Sequence, residues 1–254
     1  MKFKFALFAA FICLNAIPKR TLAQFEIGLS GGYNKNSLHT SAGYRSFTEY
    51  HARNGFELGI PVRYTVNEWL AVQAEPSYIQ KNYELTRTHF FAGIYQKNIN
   101  SYIQLPLLAH FSFGGSKLRG FLNLGGYGAY WASSRIKGVM ANVFNNGPTI
   151  PDGQQVYNFL QLNQAYNYNE KYAFDNRRDR RMEFGLIGGT GIEYQLNGKY
   201  RFFVEGRYAY SLSDLQKNYM IDQIPRYNDT YIVQIGCLFN IRNIFQPSQE
   251  KTAK

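Results

Sequence analysis

Tyr200-Arg-Phe-Phe-Val-Glu-Gly-Arg-Tyr-Ala-Tyr-Ser-Leu-Ser213 decides the fold. One parity of this stretch reads Tyr200, Phe202, Val204, Gly206, Tyr208, Tyr210, Leu212. The other reads Arg201, Phe203, Glu205, Arg207, Ala209, Ser211, Ser213. Successive side chains of a β-strand point to opposite faces. The stretch is therefore a strand with one continuous aromatic-aliphatic face and one face of charged and small residues.

The same split recurs along the chain. Phe184, Leu186, Ile192, Tyr194 and Leu196 oppose Glu183, Gly185, Gly191, Glu193 and Gln195. Phe56, Leu58, Ile60, Val62 and Tyr64 oppose Glu57, Gly59, Pro61, Arg63 and Thr65. Residues 70–78 and 231–241 repeat the pattern, and residues 25–33, 99–113 and 118–132 carry it with weaker contrast. Eight strands result. Most run to about 9–14 residues, against the 5–6 usual in soluble sheets, and about 9–11 tilted residues suffice to cross a bilayer. Turns at 67–69, 114–117 and 197–199 are short and carry Asn or Gly. Between them lie polar segments at about 34–54, 88–97, 134–181 and 214–229. Short turns at one end and long loops at the other are the layout of an outer-membrane barrel.

Composition agrees. Of 254 residues, 17% are aromatic and only 18% charged, where soluble domains carry roughly 25% charged residues. So many Phe and Tyr argue against disorder of the bulk, and two cysteines exclude a disulfide scaffold. The longest apolar run, 5–17, is too short for a spanning helix. It follows Lys2 and Lys4 and precedes Thr21-Leu-Ala23, so residues 1–23 read as a secretory signal peptide cleaved near Ala23. Removal takes Lys2, Lys4, Lys19 and Arg20 from a formal net charge of +11. Residues 24–241 then form the barrel domain and 242–254 a polar C-terminal tail. Cys237 falls on an apolar parity and reads as a small hydrophobe.

The polar parity sets which way the barrel faces. It is rich in Gly and carries Glu26, Glu57, Arg63, Glu75, Arg119, Glu183, Glu193, Arg201, Glu205 and Arg207, with Lys nearly absent. Arg and Glu among small neighbours suit a tight interior in which guanidinium and carboxylate pair. Eight strands enclose a space just wide enough for side chains to fill. The expected interior is thus an ion-paired plug built from Glu57, Arg63, Glu75, Arg119, Glu183, Glu193, Arg201, Glu205 and Arg207. The apolar parities, free of charge, meet lipid, where a charge costs roughly 2–4 kcal/mol at the midplane. Tyr64, Trp69, Phe113, Tyr194 and Tyr200 near the turns, and Tyr33, Tyr78, Tyr130, Trp131, Tyr210 and Tyr231 near the loops, form two expected interfacial girdles. A soluble lipocalin-like barrel would need the opposite arrangement, with an apolar interior.

Three motifs resemble a known family. Tyr102-Ile-Gln-Leu-Pro-Leu-Leu108 resembles a strand of the PorT-family outer-membrane β-barrel domain. So do Gly185 to Tyr194 followed by Phe203 to Leu212, and Gln73-Ala-Glu-Pro-Ser-Tyr-Ile-Gln-Lys81. The resemblance spans nearly the whole mature chain. It implies an eight-stranded outer-membrane barrel, and for some members a link to protein secretion and gliding machinery.

Candidate chemistry is sparse. His39, His51 and His89 fall in expected loops, with Glu49, Ser41 and Ser46 near His51, but no nucleophile elbow is present. His110 shares inward parity with Gln104 and reads as an interior hydrogen-bonding group. No Cys/His cluster has metal-ligand spacing, and no cofactor is expected. Arg177-Arg-Asp-Arg-Arg181 closes the longest loop. Its Arg177, Arg178, Arg180 and Arg181 could meet phosphates of lipopolysaccharide, or form a solvated rim paired with Asp175 and Asp179. Loop 134–181, with Tyr166, Tyr168 and Tyr172 among Asn and Gln, has contact chemistry for a protein partner or glycan. Nucleic acid is not an expected partner.

The expectation is an all-β, transmembrane, eight-stranded antiparallel up-and-down barrel of OmpA-like size. It has a filled interior and long extracellular loops, and sits in the outer membrane of a Gram-negative bacterium. Its expected role is structural or interacting, non-porin and not enzymatic, with loops contacting an extracellular or lipopolysaccharide partner. A component of secretion or gliding machinery is the alternative, and an outer-membrane barrel enzyme the third reading.

Overall fold

The computed structural model describes residues 25–40, 47–89, 92–141, 165–196, 198–221 and 223–241. The expected signal peptide and C-terminal tail lie outside these residues. Among the described residues twelve antiparallel strand segments form one sheet. They are β1 (Phe25–Thr40), β2 (Thr48–Gly59), β3 (Val62–Thr65), β4 (Leu70–Ala74), β5 (Ser77–Gln80), β6 (Tyr83–Arg87), β7 (Tyr95–Gly114), β8 (Leu118–Ala141), β9 (Ala165–Lys171), β10 (Met182–Leu196), β11 (Tyr200–Ser211) and β12 (Arg226–Asn240).

The segments resolve into eight staves and one appendage. β2 and β3 are one stave interrupted at Pro61, and β4, β5 and β6 another interrupted at Pro76 and at Lys81-Asn82. Proline supplies no N–H to a ladder, but its carbonyl still accepts. Gly28 N–H donates to Pro61 O, Ile60 N–H to Pro76 O, and Lys81 N–H to Asn100 O, which carries the pairing across each break. β12 pairs with β1 from Glu26↔Asn240 to Thr40↔Arg226, so the ring closes and leaves no spanning edge. β9 adds to the upper half of β8 only.

Alternation sets the faces as expected. On β11, Phe203, Glu205, Arg207, Ala209 and Ser211 are buried, while Tyr200, Phe202, Val204, Tyr208 and Tyr210 are exposed. Leu29, Leu58, Leu107, Leu186, Ile192 and Ile235 are likewise exposed. A charge-free apolar belt of this kind belongs in hydrocarbon.

Three features differ from the expected layout. The strands continue far into the expected loops: β1 reaches Thr40, β2 starts at Thr48, β7 at Tyr95 and β12 at Arg226, and β8 runs to Ala141. Apart from the β8 extension, which carries Ile136, Val139 and Met140, these extensions are largely polar on both faces, so hydropathy alternation fades although backbone pairing persists. Trp131 is not in the outer girdle. Tyr102 faces Trp131 while Ser101 faces Ser133, leaving Ala132 as the extra residue of a bulge. Trp131 keeps the inward parity of Phe121, Tyr127 and Ala129, and the bulge shifts the alternation so that Ser134 points inward as well; both are buried. Finally, Lys81 lies in the interior, fully buried, although Lys was expected to be nearly absent there.

Candidate functional site

The interior is stacked in tiers. Nearest the short turns, two guanidiniums and two carboxylates alternate in a ring. Arg63 Nη1 lies 2.8 Å from Glu193 Oε2 and 4.0 Å from Glu26 Oε2. Arg201 lies 2.7 Å from Glu193 Oε1 and 3.2 Å from Glu26 Oε1. Beside the ring, a nitrogen–oxygen contact of 2.8 Å joins His110 Nδ1 to Asn123 Oδ1, and phenylalanines 121 and 203 pack with Leu238. Gly191 makes room for the Phe121 ring: a Cβ there would stand 2.6 Å from Phe121 Cζ.

At mid-height Arg207 lies 2.6 Å from Glu75 Oε2 and 2.8 Å from Glu205 Oε1. Glu75 also accepts from Ser30 Oγ and Gln73 Nε2, and Glu205 from Asn123 Nδ2 and Gln234 Nε2. Above it, Lys81 Nζ lies 2.6 Å from Glu183 Oε1 and 4.4 Å from the centre of the Tyr127 ring. Tyr127 OH and Asn228 Nδ2 donate to the same carboxylate. Buried charge needs such multiple partners, since desolvation costs several kcal/mol per ion.

The residues expected in the plug thus fall into separate groups. Arg63, Glu193 and Arg201 meet, joined by Glu26. Glu75, Glu205 and Arg207 meet. Glu183 takes Lys81, a partner the sequence reading did not include; its inward position follows Gln73, Glu75, Ser77 and Ile79 by parity. Arg119 stands apart, donating to the Glu68 carbonyl at 2.6 Å. Glu57 is buried, and neither of its carboxylate oxygens has a hydrogen-bond partner.

The histidines of the expected loops do not gather. His39 sits on β1 opposite Tyr227. His51 lies on β2, 2.8 Å from Thr86 Oγ1 and 3.7 Å from Glu49. His89 has φ 57° and its ring meets Phe47 edge-on. Ser41 and Ser46 lie outside the described residues. Among the described residues no three His, Cys, Asp or Glu side chains gather to hold a metal.

At the loop end two segments cover the barrel mouth. Arg180 N–H donates to Leu215 O, and Lys217 N–H to Arg178 O. Trp131 is stacked between Tyr102 and Tyr172, with centroids 5.9 Å away on either side, and Phe174 meets it edge-on at 4.9 Å. Tyr172 OH donates to Asp179 Oδ1 at 3.0 Å and accepts from Arg178. Burial and the Asp179 carboxylate push the Tyr172 phenol up to about 12. Of the arginine run, Arg178 pairs with Asp179 at 3.0 Å. Arg181 donates to the Trp131 and Ala132 carbonyls and lies over the Tyr130 and Phe174 rings. Arg177 and Arg180 are exposed.

A closed, lipid-faced barrel with an ionic interior defines the class as an outer-membrane β-barrel. The chain belongs to the outer membrane protein beta-barrel domain family, which it matches over residues 18–217. No curated protein matches it. Among solved structures it is similar to Neisserial surface protein A, at 12% identity over 87% of this chain and 99% of that one, with a TM-score of 0.41. It is also similar to OprG of Pseudomonas aeruginosa, at 12% identity over 84% and 94%, TM-score 0.41. Ail of Yersinia pestis follows at 13% identity over 84% and 98%, TM-score 0.38.

Proposed function

We propose that this outer-membrane barrel is a non-catalytic, non-porin anchor whose loop end contacts lipopolysaccharide or another extracellular partner. The observation that carries this reading is the contrast between the two parts of the stave system. The membrane-level interior is crossed by bonded side chains, whereas at the loop end β8 runs on, paired with β7 and β9, and the chain after β9 bears exposed Arg177 and Arg180. A plug conducts little, and a strand extension presents contact surface. Arg pairs well with phosphate through its fork of donors.

The rim reading is tested with Arg177→Ser/Arg180→Ser, which leaves the lid contacts of Arg178 and Arg181 intact. The pair should lower Tm in lipopolysaccharide-containing bilayers and leave it unchanged in detergent. Equal shifts in both media reject the contact.

The PorT-like motifs favour a second reading, a component of secretion or gliding machinery. Deleting 142–164 separates the two. Loss of surface binding with normal secretion supports the anchor, and loss of secretion supports the second reading.

A further inference from the structure

Beneath the lid lies a cavity of about 340 Å³, lined by Tyr83, Asn98, Trp131, Tyr172, Arg178 and Arg226 among others. Such a volume is of the size that takes a small molecule. Two N–H groups buried at this cavity's residues have no acceptor: Trp131 Nε1 and Arg226 Nε. Trp131 is only 6% exposed, so its N–H is withdrawn from bulk water, and an unmet buried donor costs about 1–3 kcal/mol. The lining also carries the Gln216 amide, with Asn98 Oδ1, which accepts from Gln96 Nε2, and Ser134 Oγ, which donates to Asn100 Oδ1 and keeps its lone pairs. The charges are unequal. Asp179 is engaged by Arg178, while Arg226 has no carboxylate partner among the described residues and only the Tyr50 ring 5.9 Å from its Cζ. The walls are also fixed in advance, because Trp131 is clamped on both faces by Tyr102 and Tyr172. A preorganised donor such as the Trp131 N–H binds at a lower ordering cost.

We propose that this cavity is a binding site for an anionic monosaccharide unit, its acidic group taken by the orphan donors and its hydroxyls by the Gln216 amide and the remaining lone pairs of Asn98 Oδ1 and Ser134 Oγ. The site is independent of the rim contact proposed above.

The test is calorimetric titration of the folded, detergent-solubilised protein with glucose 6-phosphate and with glucuronate, using glucose and inorganic phosphate as controls. Saturable binding of at least one anionic sugar is expected, tighter than either control. Arg226→Gln should weaken it about tenfold or more, the loss of one charge-assisted bond. Trp131→Phe keeps a ring in the stack but removes the N–H, and should weaken binding several-fold. Folding of each variant is read from its heat-modifiable gel shift. Arg177→Ser/Arg180→Ser should keep full affinity; its loss would move the binding to the rim and overturn the pocket. Silence towards both anionic sugars, binding no tighter than glucose or phosphate, or unchanged affinity in folded Arg226→Gln and Trp131→Phe would also overturn it. In Trp69→Phe, indole emission comes from Trp131 alone and should change on saturation; an unchanged spectrum with bound ligand would place the ligand elsewhere.

Discussion

Arg207 holds two carboxylates at once, Glu75 and Glu205, with all three fully buried. Removing the cation strands both anions in a low-dielectric interior. Arg207→Met should therefore destabilise the barrel by about 3–5 kcal/mol, read from urea unfolding in lipid vesicles. Glu57 is the counter-case. Its oxygens have no hydrogen-bond partner, so Glu57→Gln breaks no bonded pair and should leave unfolding unchanged or shift it towards greater stability. A loss of several kcal/mol there would show that Glu57 belongs to the network after all. The sequence made the inward position of these residues plain through parity, but not their partners. Arg63 and Glu193 are 130 positions apart and Lys81 and Glu183 are 102 apart. No local pattern encodes such meetings, which depend on ring closure and on the register of every intervening stave.

At the scale of elements, period-two patterning located all eight staves, because each has one face that must avoid charge. It could not locate their upper ends. Thr48 to Asn54 is polar on both faces, yet it pairs with β6 and β1, since above the membrane no face is selected for lipid. Nor could parity foresee the bulge at Ala132, which breaks the alternation that parity relies on and turns Ser134 inward; Trp131 itself follows the inward parity of Tyr127 and Ala129, and its residue type alone suggests the girdle. The lid holds a phenol, Tyr172, that burial and the Asp179 carboxylate push from its ordinary value of 10.0 up to about 12. A raised folded value favours the neutral form, so its contribution is complete below the ordinary value and is lost as pH climbs through the raised one. Trp131 near-ultraviolet dichroism should hold up to about pH 10 and collapse towards pH 12. Tyr172→Phe, which cannot ionise, should remove that transition, and its persistence would assign the change to another group.

The whole molecule follows from closure. Because β12 pairs with β1, backbone groups of the spanning staves find partners without water, the condition for crossing hydrocarbon. The same closure confines the inward charges to a narrow bore, where they bond across it. A planar bilayer containing the purified protein should accordingly show no stable large-channel current, and a sustained porin-like conductance would contradict the filled interior. The central claim is the direction in which the two parities face, and spin labelling of β11 tests it most directly. In a Cys237→Ala background, nitroxides attached to Val204→Cys and Tyr208→Cys should collide freely with membrane-dissolved oxygen and hardly at all with a water-soluble nickel chelate. High accessibility to the chelate at both positions would put that face in water and contradict the account.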